Sequence, residues 1–439
     1  MGRGGRQRQR EAVPARTRHV PRPISERTLL FLVGAVQFVN VLDFMMVMPL
    51  GPDFAVGLGI PASQLGLIGG SYTAAAAVSG LAGAAFLDRF DRRSALMVAM
   101  GGLVVATAAG GLATGFWSMV AARVAAGFFG GPATSLSLSI VADAVPAERR
   151  GRALGAVMGA FSVASVLGVP AGLELAHLGS WRTPFFAVAG LGLLVAGGAL
   201  ILMPPMVGHL ARSRGPDAER GSVRLLLRQP VAMLSLAATA TAMMSGFSII
   251  PNIASHLRFN LGFPRDRLGL VYMVGGFVAF FTLRIAGRWV DRFGAPVVSA
   301  GGTAVFVCVL GIGFAWPSAW LPGVAGHPGL LLGAVITLFV FFMMGNSLRN
   351  VSMNTLTSRV PGPAERARFM SVQSAVQHLS SAIGAALSTR LLTVEPDGRL
   401  GGMLGLTLFS GAVALAVPFL LAAVHSRLLR RPSVAAPAA

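Results

Sequence analysis

The sequence predicts an all-α membrane protein with 12 transmembrane helices in two pseudo-symmetric six-helix bundles. Three observations carry this prediction: apolar runs of spanning length recur along the chain, arginines concentrate on alternate loops, and loop motifs repeat in the two halves. Hydrophobic residues make up 54% of the chain and charged residues only 12%, a composition that excludes a water-soluble globular protein.

Runs of about 20 apolar residues are long enough to cross a bilayer as helices. The predicted spans, numbered 1 to 12, are residues 28–50, 64–86, 94–114, 117–140, 152–175, 183–203, 231–251, 267–287, 296–316, 329–350, 368–391 and 401–424. The predicted regions are a disordered Arg-rich cytoplasmic tail (1–27), an N-terminal bundle (28–203), a central cytoplasmic loop (204–229), a C-terminal bundle (230–424) and a cytoplasmic tail (425–439).

The basic residues predict the orientation of these spans. All 36 are arginine, and 29 of them, counting Arg349 with its loop, lie on the side that holds both termini. By the positive-inside rule both termini are expected in the cytoplasm, in a multi-pass protein of a bacterial cell (inner) membrane. The net charge of +20 therefore faces anionic lipid headgroups, so we expect a lipid bilayer and no nucleic acid as partner.

Sequence patterns that carry enzyme chemistry are absent. Cys308 is the single cysteine, the seven histidines have no ligand spacing, and neither a phosphate loop nor a nucleophile elbow occurs. The chain is thus predicted not to be an enzyme, to hold no cofactor or metal, and not to use ATP directly.

Two loop motifs recur at matching positions in the halves. LDRFDRR follows span 2 and VDRFG follows span 8, while VPAERRGRA after span 4 is echoed by VPGPAERARF after span 10. Two related halves around a midplane site are the architecture of alternating-access carriers.

Four motifs then resemble the 12-helix drug:proton antiporter-like branch of the major facilitator superfamily. They are NVLDFMMVMPLGPDF in span 1, the DRFDRR loop, RVAAGFFGG in span 4 with Ala126 at a usual glutamine position, and SVLGVPAG in span 5. In the loop, Asp91 replaces a glycine, which predicts a looser turn. The resemblance implies the major facilitator fold and proton-coupled export, with gating residues Asp88, Arg89, Arg92, Arg93, Asp143, Gly168, Pro170, Gly172, Asp291 and Arg292. The open alternatives are a solvated loop anchor for the charged residues and plain helix packing for the glycines.

Asp43 is the one carboxylate well inside a predicted span, and ionisable groups at membrane depth are costly enough to suggest function. At ~1.5 Å rise per residue, Asp43 and Arg123 reach similar depths in the outer part of the bilayer. We hypothesise that Asp43 and Arg123 interact across a central cavity, with Asp43 taking and releasing the coupling proton while Arg123 controls its pKa. The alternative is a static ion pair that fixes helix packing.

Other polar side chains within the spans are candidates for the lining of a substrate cavity, or alternatively for interhelical hydrogen bonding. They are Gln37, Asn40, Tyr72, Asn252, Asn346, Arg349, Asn350, Gln373 and Gln377, with His378 as a second proton-relay candidate. Asn346, Asn350 and Asn354 share one helix face, and Arg349 falls in the membrane if span 10 continues to about residue 358.

The sequence as a whole predicts a monomeric secondary transporter that exports a small organic solute or drug in exchange for protons. One alternative is a proton-coupled transporter of a sugar-like metabolite. Another, from a different class, is a transport-inactive membrane sensor on the same fold.

Overall fold

A computed structural model describes residues 24–207, 228–324, 326–361 and 366–430. In the first half, spans 1 to 4 are Glu26–Met46, Leu65–Phe86, Arg92–Gly111 and Phe116–Ala144, and span 6 is Thr183–Leu202. Span 5 consists of Ala147–Met158, Ala160–Val163, a π-turn Ala164–Gly168 and Val169–Leu178. Short helices Gly51–Leu58, Ala62–Gln64 and Leu87–Arg89 lie in the loops.

The second half repeats this order. Span 7 consists of Pro230–Ile249, Ile250–Asn252, Ile253–Ser255 and a π-turn His256–Asn260. Spans 8, 10, 11 and 12 are Leu268–Phe293, Pro328–Thr357, Arg366–Leu391 and Met403–Leu429, and span 9 is Ala295–Leu310 with a π-turn Gly311–Ala315. Short helices Arg265–Arg267, Pro317–Ala319 and Leu321–Val324 and an antiparallel strand pair, Thr393–Val394 with Leu400–Gly401, connect them.

In the described part of the chain, 11 helices are long and apolar enough to cross a membrane. Arg366–Leu391 has the length of the remaining predicted span, but polar residues such as Gln373 and Ser381 lower its hydropathy. The all-α fold class is therefore confirmed. Most of the residues of both predicted tails and of the central loop lie outside the described residues.

Several span boundaries differ from the sequence prediction. Span 1 ends at Met46, not at residue 50, because Pro49 and Pro52 interrupt it and a separate short helix begins at Gly51. Span 7 continues to Asn260 through irregular turns. Span 10 reaches Thr357, which confirms that Arg349 lies within the helix, and span 12 reaches Leu429.

We call the end of the molecule that carries Glu26 and Leu429, and that the arginines predict to be cytoplasmic, the inner face; the other end is the outer face. Spans 1–6 pack into one half and spans 7–12 into the other. The halves meet where span 2 packs on span 11 and span 5 on span 8. Glycines allow close approach at both contacts: a Cβ on Gly70 would lie 3.1 Å from the Ala382 carbonyl, and one on Gly276 2.8 Å from the Ser165 carbonyl.

Gly127 of span 4 gives the first testable prediction. A Cβ there would overlap the backbone carbonyl of Tyr72 on span 2, which cannot move away as a flexible side chain can. We expect Gly127→Ala to destabilise the purified protein by about 1–3 kcal/mol, the usual result of overpacking. Gly101→Ala is the matched control, because nothing lies within 4 Å of its added methyl group. Thermal unfolding of both variants in detergent measures the difference; equal melting temperatures would contradict this packing.

Candidate functional site

Asp43 and Arg123 form a buried ion pair within the first half. Arg123 Nη1 donates to Asp43 Oδ1 at 3.1 Å and Nη2 donates to Oδ2 at 2.5 Å. Their side chains are 0% and 1% exposed, so the two charges depend on each other. Separating such a pair by removing one partner costs about 3–5 kcal/mol. The predicted pairing is confirmed, although the pair is enclosed by helices and does not reach across an open cavity; its proton-coupling role remains a prediction.

Thr107 of span 3 completes the environment of Asp43. Its hydroxyl lies 2.7 Å from Asp43 Oδ1 and 2.8 Å from the carbonyl oxygen of Leu103. A hydroxyl has one hydrogen to donate and two lone pairs to accept with. Thr107 can therefore donate to an ionised Asp43, or accept from a protonated Asp43 while donating to Leu103.

A second polar cluster adjoins the ion pair. The Tyr72 hydroxyl donates to Asn40 Oδ1 at 2.9 Å, and Asn40 Nδ2 donates to the Gly130 carbonyl and the Thr134 hydroxyl. The guanidinium carbon of Arg123 lies 5.1 Å from the centre of the Tyr72 ring, within cation–π range. Spans 1, 2 and 4 are thus joined through Asn40 and Tyr72, two of the predicted cavity residues.

Aromatic rings connect this cluster to the other half. Phe44, next to Asp43, lies 5.1 Å from Tyr72 and 6.0 Å from Phe247 of span 7, measured between ring centres. Both phenylalanines are partly exposed, unlike the ion pair. The row Tyr72–Phe44–Phe247 is therefore an apolar surface, shared by the two halves, beside a buried carboxylate. We call it the aromatic row.

The remaining predicted cavity residues divide into two groups. Gln37, Asn252 and Gln373 are at most 4% exposed, with Asn252 donating to Ser248 of its own helix and Gln373 to the Thr357 hydroxyl. Asn346, Asn350, Gln377 and His378 are partly exposed. Arg349 is buried against Ser245 and Phe306 in the second half. The structure does not bring these residues together with Asp43, and their cavity role stays a prediction.

The loop after span 2 joins elements of the first half at the inner face. Arg92 Nε lies 3.3 Å from Asp143 Oδ2, and Arg93 donates to the Leu200 carbonyl. Asp91 caps span 3 by accepting from the Ser94 backbone, and it accepts from Met206 N at 2.5 Å. Burial alone would raise the pKa of Asp91, but these hydrogen bonds outweigh it and hold the pKa below its usual value. The residue that replaces a motif glycine thus fastens the loop.

Other predicted gating residues are placed as follows. Arg89 is exposed, and the side chain of Asp88 lies outside the described residues. Asp291 is 74% exposed and 3.9 Å from Arg359, a surface pair of little strength, and Arg292 lies over its neighbour Phe293.

The gating motif of span 5 contains a helix irregularity. Gly168 ends the π-turn just before Pro170, and a Cβ on it would lie 2.7 Å from Leu42 of span 1. Gly172 has ordinary room, with Met46 3.8 Å away. A π-turn beside a proline is a usual place for a helix to bend, at a segment that packs on span 8 of the other half.

An ion-pair cluster at the outer face joins the halves and was not predicted. Asp53, in the short helix after span 1, accepts from Arg265 Nε and Nη2 at 2.7 Å each and from Arg258 Nη1 at 2.9 Å. The three side chains are 12–28% exposed. We call Asp53, Arg258 and Arg265 the outer clamp. The sequence gives one sign of this cluster: two outer-side arginines, Arg258 and Arg265, lie within eight positions of each other. Nothing in the sequence shows that Asp53 contacts them.

The described residues form twelve spans in two halves, with polar groups buried beside the interface between the halves, as in multi-pass membrane carriers. Comparison with known proteins gives the family. A profile described as Major Facilitator Superfamily matches residues 33–385. The chain belongs to the major facilitator superfamily.

One relative and two solved structures illustrate the similarity. The chain is 30% identical over 395 residues to a chloramphenicol resistance protein of Streptomyces lividans, covering 89% of this chain and 95% of that protein. A nucleoside transporter structure matches with a TM-score of 0.71 at 11% identity, over 90% of this chain and 99% of its own. A D-xylose–proton symporter matches with a TM-score of 0.68 at 18% identity, over 90% and 96%. These two structures establish the fold alone.

Proposed function

We propose that this protein is a secondary active transporter that exports a small organic solute or drug in exchange for protons by alternating access. It acts as a monomer in a bacterial inner membrane with both termini in the cytoplasm. The observation that carries the proposal is the buried Asp43–Arg123 ion pair beside the aromatic row, because it puts the only deeply buried described carboxylate next to a surface shared by both halves.

Proton exchange follows from the chemistry of this pair. In the closed arrangement, Arg123 compensates the charge of Asp43 through two hydrogen bonds. A movement that draws Arg123 away leaves a desolvated carboxylate, which then binds a proton. Thr107 has a hydrogen-bond partner in both states, since Leu103 takes its hydrogen when Asp43 becomes a donor. The pair therefore takes and releases a proton as the helices shift.

Solute binding is assigned to the aromatic row. A flat or apolar solute inserted between Phe44 and Phe247 would lie against both halves at once, so its binding favours the arrangement that encloses it. The name of the Streptomyces relative supports export of an antibiotic-like compound with an aromatic ring. Tyr72 links the row to Arg123, so solute contact there reaches the ion pair through one residue.

A second candidate is proton-coupled transport of a sugar-like metabolite. Partly exposed amide side chains at Asn346, Asn350 and Gln377 in the second half favour it, because amides bind hydroxylated solutes. Competition separates the two candidates: aromatic, antibiotic-like compounds compete in the first case, and hydroxylated compounds in the second.

The test is proton movement in vesicles that contain the purified protein. We expect aromatic antibiotics of the chloramphenicol type to evoke proton flux opposite in direction to the solute, with sugars and amino acids inactive. Flux in the same direction as the solute would replace antiport with symport. A response to sugars alone would favour the second candidate, and silence across the panel with folded protein would contradict both.

A further inference from the structure

Arg349 is a buried cation in the second half whose charge is not cancelled by the residues around it. Its side chain is 1% exposed, and no carboxylate among the described residues lies within ion-pair distance. Nη2 donates to the Ser245 hydroxyl at 2.5 Å, while Nε and Nη1 have no hydrogen-bond partner. Buried polar groups in folded proteins nearly always have a hydrogen-bond partner, so we expect these two nitrogen atoms to donate to an acceptor.

The groups that contact Arg349 stabilise it without neutralising it. Ser245 gives its own hydrogen to the Ala242 carbonyl and so offers only a lone pair to the guanidinium. The ring of Phe306 lies 4.3 Å from the guanidinium carbon and offers the negative face of its π system. Arg123 in the first half has an aromatic ring in the same role, but it also has the Asp43 carboxylate. At Arg349 the described residues supply no corresponding anion.

Further donors without partners lie on span 9, the helix that carries Phe306. The hydroxyls of Ser299 and Thr303 are buried, lie one turn apart and have no hydrogen-bond partner. Gly302, next to Thr303, packs directly on span 10: a Cβ there would lie 3.2 Å from the backbone nitrogen of Arg349. Span 9 therefore packs on span 10 at the backbone of Arg349, and Thr303 lies within one helical turn of Phe306, the residue that contacts the guanidinium.

We propose that Arg349 and the span 9 hydroxyl of Thr303 bind a small monovalent anion of halide size, which is chloride under cellular conditions. N–H and O–H donors around a cation, with no competing carboxylate, are the chemistry that holds a halide. Because Arg349 is enclosed on all sides, the occupant is small and carries no bulky group. The site is distinct from Asp43 and the aromatic row, and it does not depend on which solute the protein transports.

Thermal unfolding of the purified full-length protein tests this site. Chloride is exchanged for gluconate at constant sodium concentration, ionic strength and pH, with bromide and acetate in parallel. An anion that binds the folded state alone raises the melting temperature with its concentration, here by roughly 2 °C or more between about 1 and 150 mM chloride. Bromide is expected to act like chloride. Stabilisation by acetate but not by halides would overturn the halide proposal and assign the site to a carboxylate, such as one carried by the solute.

Variants assign the effect to Arg349. Arg349→Gln is expected to melt at the same temperature in chloride and gluconate, and Thr303→Val to need more chloride for the same shift. Arg182→Gln is the matched control: it removes an arginine whose guanidinium donates to the carbonyls of Gly111 and Ala113, and the chloride dependence should remain.

A direct measurement on the unaltered protein keeps the proposal testable if Arg349→Gln does not fold. Crystals grown in bromide are expected to show an anomalous scattering peak beside the Arg349 guanidinium. The proposal would be overturned if the wild-type protein melted at the same temperature in chloride and gluconate and no anomalous peak appeared beside Arg349. Water would then be the acceptor for the two nitrogen atoms.

Discussion

Asp43→Asn is expected to abolish proton-driven transport while solute exchange down its own gradient continues. Asparagine has nearly the same shape and can still bond Thr107, but it cannot bind or release a proton at physiological pH. Solute accumulation driven by an imposed pH gradient should therefore fall to the level of empty vesicles. Counterflow of labelled solute, which needs no net proton movement, should persist. An unchanged response to the pH gradient would exclude Asp43 as the coupling group.

The same substitution leaves Arg123 buried without its counter-charge, which destabilises the protein by about 3–5 kcal/mol. A second variant separates this loss of stability from the loss of coupling. Asp43→Asn combined with Arg123→Gln removes both charges, so we expect it to recover most of the stability and to remain uncoupled. Recovery of proton-driven transport in the double variant would instead indicate that Asp43 is a static packing partner.

A matched control comes from a carboxylate on the surface. Glu174→Gln also removes one negative charge, but Glu174 is 62% exposed and 3.7 Å from its neighbour His177. Exposed pairs of this kind contribute roughly 0–1 kcal/mol. We expect its transport rates and melting temperature to match those of the wild-type protein.

The fold and the ion pair were predictable for the same reason. Hydropathy and arginine distribution depend on the bilayer, which acts on each span independently of the others, so they could be read from the chain. The rise per residue of an α-helix then converts sequence position into depth in the bilayer. The similar depths of Asp43 and Arg123 were the basis for pairing them. The confirmed contact between them shows that depth was sufficient for this pair.

Other parts of the site depend on how each helix is rotated about its axis and on how the two halves pack together. The depth of a residue in the bilayer predicts neither of these. Thr107 resembles any hydroxyl on an apolar helix until span 3 is turned towards Asp43. Phe44 and Phe247 belong to different halves, and Asp53 lies more than 200 residues from its arginine partners. Asp91 was expected to loosen a turn, yet in the structure it caps span 3.

Asp53→Asn is the second substitution with a large expected effect, this time on the conformational equilibrium. The outer clamp holds the outer ends of the two halves together through three charge-assisted hydrogen bonds from two arginines to one carboxylate. Asparagine keeps the shape but loses the charge that both arginines share. Because the groups are mostly shielded from water, we expect the closed outer face to lose about 1–3 kcal/mol, a shift of about 5- to 150-fold in the equilibrium.

Distances between spin labels on the two halves measure this shift. Labels at Val56→Cys and Val394→Cys, both exposed, report on the outer ends after the single native cysteine is replaced by Cys308→Ser. Asp53→Asn should add or enlarge a population with a longer distance. Arg399→Gln is the control, since Arg399 pairs with Asp397 within one outer loop and joins no halves.

We also predict that the effects of substitutions within the outer clamp are not additive. If Asp53 and Arg265 act through each other, removing both should shift the distances no further than removing Asp53 alone, whereas independent surface charges would add. High salt should widen the distances in the wild-type protein only slightly, because side chains this shielded are screened far less than exposed pairs. A distance distribution that Asp53→Asn leaves unchanged would mean that helix packing, at contacts such as Gly70 with Ala382, closes the outer face without the clamp.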